Sequence, residues 1–117
     1  MKGLEPKANF WAEINGQVVL SDWRVRLLEA IAETGSISSA AHAMGIQYRL
    51  AWDRVHEMEQ HLGQRLVDTQ IGGPGGGGAR LTPVAEEYVR RWRQFVEGLD
   101  AIVAERFALA FQRPQEP

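Results

Sequence analysis

The chain has 117 residues, 44% hydrophobic and 24% charged, with a formal net charge of −2 and no cysteine. That length accommodates one domain with a modest core, and the composition is that of a folded chain. The missing thiols exclude disulfides, thiolate zinc sites and cysteine nucleophiles. No apolar run approaches the roughly 20 residues of a membrane span, and the opening MKGLEPKANFWAEI lacks the apolar stretch of a secretory signal. A cytoplasmic protein without a membrane partner is therefore expected. The acidic balance argues against binding nucleic acid by bulk charge, but the charge is uneven. Residues 21–70 carry −2, residues 71–95 carry +2, and residues 96–117 return to −2. Eleven of the thirteen basic residues are arginine, the side chain suited to bidentate phosphate and base contacts.

In chain order, a hairpin is predicted over residues 10–20, because Asn15-Gly16 separates two β-prone runs and supplies the positive φ values of a type I′ turn. Ser21-Asp22 marks a helix start, with Val25, Leu28, Ile31 and Ala32 as its inner stripe and Gly35 beyond its end. A second, short helix follows from either Ser36 or Ser38 as cap, with Ile37, Ala40, Ala41 and Met44 on one face and Gly45 closing it. A third runs from Gln47 to Leu62. Its inner stripe is Ala51, Val55, Met58 and Leu62, and Arg49, Asp53, His56 and Gln60 lie opposite.

A strand is predicted over residues 65–70. Residues 71–79 then hold six of the twelve glycines, followed by a return strand at Arg80-Leu81-Thr82. Thr82-Pro83 starts a last helix, reaching about Phe111 and about 40 Å long. It carries Trp92, Leu99 and Arg106 in one heptad column and Tyr88, Phe95, Ile102 and Leu109 in another, with Val89, Val96 and Val103 beside them. Such a seam expects a partner, and a homodimer through Tyr88, Trp92, Phe95, Leu99, Ile102 and Val103 is the favoured reading. Cover from the hairpin of the same chain is the other.

The order of elements is that of a mainly α winged helix-turn-helix with small β-hairpins: hairpin 10–20, winged unit 21–82 and dimerisation helix 83–111 within one domain. In that motif the second helix of the pair enters the major groove and presents its N-terminal residues to base edges. Gln47, Tyr48 and Arg49 occupy that end here. Trp52 suits a packing edge as well as a DNA contact. Asp53 can accept from a cytosine amino group or orient Arg49 four residues earlier. His56 completes the outward face. Ser36 and Ser38 can cap the second helix while its free amides meet phosphate. The glycines of the wing, with Gly75, Gly76 and Gly77 at its tip, and the neighbouring Arg80 are expected along the DNA backbone or in the minor groove. His42, His56 and His61 share no helix face at metal spacing, and no nucleophile–base group or carboxylate pair points to catalysis. Neither a metal, a cofactor nor an enzymatic activity is expected.

The stretch GSISSAAHAMGIQYRLAWDRVHEME resembles the DNA-binding domain of ModE-type molybdate-responsive regulators. The likeness rests on Gly35–Ser38, Gly45-Ile46 and Ala51-Trp52-Asp53, and on the glycine-rich GGPGGGGARLT of the wing. Leu62-Gly63, Arg65-Leu66 and Leu81-Thr82-Pro83 are more distantly similar to LysR-type regulators. The resemblance implies a module that binds double-stranded DNA. Those families carry a sensing domain after this module, whereas this sequence reads as the DNA-binding half alone. Molybdate sensing is therefore not carried over, and regulation would come from a separate effector protein, from protein level or from a ligand at the dimer seam. A winged-helix module that binds protein rather than DNA is the alternative.

Overall fold

The computed structural model describes residues 3–73 and 76–112. β1 (Trp11–Ile14) and β2 (Gln17–Ser21) form an antiparallel hairpin. Asn15 and Gly16 supply its turn at φ 51° and 79°, the left-handed pair that matches the twist of the flanking strands. Val19 is the hairpin residue that becomes fully buried.

α1 (Asp22–Thr34) begins where the Ser21 hydroxyl accepts the Arg24 amide at 3.1 Å and ends at left-handed Gly35. Val25, Leu27, Leu28 and Ile31 are buried. Ala32, expected on the inner stripe, is exposed, and Leu27 takes its place. The main core gathers on the Leu27–Leu28–Ile31 side, and cover on the Val25 side stops before the last turn. Ser36 is the cap of α2 (Ile37–Met44), accepting the Ser39 amide at 2.9 Å. Ala40 and Ala41 are buried, so α2 can approach its neighbours closely. The turn Gly45-Ile46-Gln47 then leads into α3 (Tyr48–Leu62), with Gly45 at φ 68° and Ile46 packed on the core. Ala51, Val55 and Met58 are buried as expected, and Leu62 packs at the edge.

β3 (Val67–Gly73) and β4 (Gly76–Leu81) pair antiparallel, with a register shift between Gln70 and Gly73. Both strands reach further into the glycine segment than the sequence predicts. A ladder is made of backbone amides and carbonyls, which glycine retains in full.

Thr82 caps α4 (Pro83–Val96), accepting the Ala85 amide at 3.1 Å, with Pro83 in the first turn. The helical segment continues to Ala110 as expected, but in two pieces. Gly98 adopts φ 79° and separates α4 from α5 (Leu99–Ala110). A left-handed residue breaks the hydrogen-bond ladder even though the apolar spacing runs on across it. α4 is fastened to α1 by Arg93, which donates from Nε and Nη2 to Glu29 at 3.1 and 2.6 Å and from Nη1 to Asp22 at 2.6 Å. The paired Glu29 carboxylate, more than Asp22, holds the Arg93 proton tighter than usual. No helix among the described residues is long and apolar enough to cross a membrane.

Candidate nucleic-acid interface

Three elements converge beside the N-terminus of α3. The start of α2 contributes Ser36 and Ser38, the start of α3 contributes Tyr48, and the hairpin contributes Thr69, Gln70, Gly77 and Gly78. Together they line an open cleft of about 390 Å³. The hairpin is held there by its backbone: the Ala79 amide donates to the Gly35 carbonyl at 2.7 Å. The Ser36 hydroxyl is committed to capping, and Ser38 is exposed. Thr69 and Gln70 carry no motif of their own, and their position just before the glycine run, on the strand that leads into the wing, is the sequence signal for them.

The outward face of α3 is built as a stack. Arg49 is exposed, with Nε 3.3 Å from Asp53 Oδ1 and its guanidinium 5.2 Å from the Trp52 ring centroid. Asp53 thus takes the orienting position that the four-residue spacing allows. Half-buried Trp52 stacks on His56 with centroids 3.6 Å apart and planes 22° from parallel. His56 Nδ1 lies 2.9 Å from the Trp52 carbonyl. A carbonyl only accepts, so Nδ1 carries the hydrogen. Gln47 and Tyr48 are exposed ahead of this stack, and Gln47 makes no capping bond with its side chain. His56 stands two turns further along the helix, about 12 Å from Tyr48. Behind the stack, Glu57 accepts from Arg24 at 3.0 Å and from Arg54 at 3.3 Å, tying α3 to α1.

On the wing, Arg80 is exposed and makes no ion pair among the described residues. Gly76 and Gly77 belong to β4, and Gly75 lies outside the described residues.

The proposed seam divides in two. Trp92 is 4% exposed, and it lines a cavity of about 350 Å³ with Asn9, Phe10, Val96 and Leu99. Val103 faces Pro6 and Lys7 across a second cavity. The N-terminal stretch therefore lies along the Trp92–Leu99 side. Tyr88 packs against the core. Phe95 on α4 and Ile102 and Leu109 on α5 remain 55%, 52% and 63% exposed, spaced by seven residues across the break at Gly98.

The family described as "Bacterial regulatory helix-turn-helix protein, lysR family" matches residues 23–86. The molybdenum-pterin-binding protein MopB of Rhodobacter capsulatus is 41% identical over 81 residues, covering 69% of this chain and 30% of that protein. The molybdenum transport protein ModE of Herbaspirillum seropedicae is 46% identical over 68 residues, covering 58% of this chain and 25% of that protein. The chain thus spans between a quarter and a third of the length of these curated relatives. Among solved structures, the protein of the CbnR_DBD-DNA complex superposes with a TM-score of 0.58 at 20% identity, covering 78% of this chain and 98% of that one; this likeness carries the fold alone. The match spans the helix-turn-helix pair and the wing, which build the cleft, together with the capped start of α4, and on that ground the chain belongs to the lysR family of bacterial regulatory helix-turn-helix proteins.

Proposed function

We propose that the chain is a sequence-specific DNA-binding module of a transcription regulator, acting as a homodimer on double-stranded DNA. α3 lies in the major groove with Gln47, Tyr48, Arg49 and Trp52 toward base edges. Asp53 holds Arg49 in place, and His56 faces the groove from further along. The Gly76–Gly77 part of the wing and Arg80 follow the backbone or minor groove, and Ser36 and Ser38 meet phosphate at the start of α2. The observation that carries this reading is the convergence of α2, α3 and the wing on one open cleft beside an Arg49–Trp52–His56 stack. A second copy docks on the Phe95–Ile102–Leu109 face.

Selection of bound fragments from a random DNA library with the purified chain tests the proposal. Enrichment of two related half-sites about one helical turn apart is the expected outcome. A protein-binding role is the second reading, favoured by the net charge of −2 and by the ion pairs that occupy Arg24, Arg54, Arg65, Arg90, Arg91 and Arg93. A folded dimer that enriches no sequence would establish it over the first.

A further inference from the structure

Glu59 lies on α3, one turn beyond the stack, in a half-buried position. Its Oε2 accepts two backbone amides from the root of the wing, Leu66 at 2.8 Å and Val67 at 3.2 Å. These donors sit at the junction where the chain leaves α3 and enters β3, and Leu66 and Val67 are both buried. The same junction is held from the far side of the wing. The Thr82 amide donates to the Leu66 carbonyl at 2.9 Å, and the Thr82 hydroxyl donates to the Arg65 carbonyl at 2.8 Å while capping α4. One carboxylate and one hydroxyl therefore join the helix that would read bases to both ends of the wing.

We propose that Glu59 is a positioning residue for DNA recognition: it sets where the wing stands relative to α3, so that Arg80 meets the backbone when α3 is seated. This rests on the DNA-binding reading above. The wing is otherwise fastened by Val67, Ala79 and Leu81, which pack into the core, and by the Gly35–Ala79 bond between backbones; among the described residues Glu59 is the α3 side chain that bonds its first strand. A buried amide left without an acceptor is costly, and no other side chain bonds the Leu66 or Val67 amide among the described residues. Both bonds need an acceptor rather than a charge. A glutamine carbonyl at the same place provides one, and alanine does not.

The test compares the full chain with Glu59→Ala and Glu59→Gln. In Glu59→Ala, the Leu66 and Val67 amides are expected to exchange with solvent about tenfold faster, while the Leu28 and Ile31 amides keep their protection. On the selected DNA, the salt slope of binding falls by about one unit, and adding Arg80→Ala brings no further loss, because the wing is already out of place. Glu59→Gln is expected to behave as wild type in both measurements. Should Glu59→Ala fail to fold, Glu59→Asp, which draws the carboxylate back by one methylene, takes its place with the same expectations. Unchanged exchange at Leu66 and Val67 overturns the proposal, as does a full additional loss from Arg80→Ala. Loss of function in Glu59→Gln equal to that in Glu59→Ala overturns it too, since it would assign the effect to charge. If wild type selects no DNA, the functional reading fails, and the exchange data still decide whether Glu59 fixes the wing.

Discussion

Arg93 on α4 grips Glu29 on α1 with two nitrogens, across 64 positions of sequence. Asp22 takes a third donor of the same guanidinium. The group is partly open to water, so screening keeps the contribution to stability near 1 kcal/mol. Arg93→Met is expected to lower the thermal midpoint by roughly 4 °C. The planar fork matters as well as the charge, so Arg93→Lys should recover less than half of the loss. Differential scanning calorimetry of the three proteins checks both, and a midpoint unchanged in Arg93→Met would show that the pair contributes nothing.

The two apolar columns of α4 and α5 should respond differently to substitution. Phe95→Glu and Ile102→Glu change exposed positions, and are expected to give folded monomers in sedimentation velocity. Trp92→Ala empties a buried site, and should instead destabilise the fold by about 3–5 kcal/mol. A wild-type protein that sediments as a folded monomer at tens of micromolar would refute the dimer.

Arg49 and Arg80 are expected to fail in distinct ways. Arg49→Ala should weaken binding to the selected sequence by roughly 5- to 150-fold, the worth of a good base contact, with little effect on random DNA. Arg80→Ala should weaken both alike and reduce the salt slope by about one unit. Titrations by fluorescence anisotropy at several salt concentrations separate the two. Equal losses on both DNAs for Arg49→Ala would move it to the phosphate-contacting class.

Relatives of this chain carry molybdenum in their names, so the anion is a direct question for these 117 residues. A tetrahedral oxyanion is held by several donors converging in a closed pocket. The hydroxyls of Ser36, Ser38 and Tyr48 border an open cleft instead. Calorimetric titration with molybdate and tungstate is expected to give dilution heat only. A saturable, stoichiometric heat at micromolar concentration would reveal a sensor within the chain.

The features legible in the sequence are those that a few neighbouring residues decide. Asn15-Gly16 makes its turn, Ser21 and Thr82 cap their helices, and Gly35, Gly45 and Gly63 end theirs, because each position answers a local backbone demand. The spacing of Arg49 and Asp53 foretold their pairing for the same reason. Glu57 with Arg24, Glu59 with the Leu66 amide and Arg93 with Glu29 were hidden, since a charged residue on a helix surface has no sequence mark that names a distant partner. The break at Gly98 is not legible either, because a lone glycine within a sustained heptad pattern costs a helix only about 1 kcal/mol relative to alanine. Its left-handed φ emerges from the folded chain.

That glycine divides the molecule mechanically. On one side, Arg93 and Thr82 bind α4 to α1 and to the root of the wing, so the reading head turns as a single piece. On the other, α5 contains no buried residue. In the proposed dimer, the backbone angle at Gly98 therefore sets how far apart two heads stand, as the set of a pair of dividers fixes its span, and the N-terminal stretch laid along both helices holds that setting.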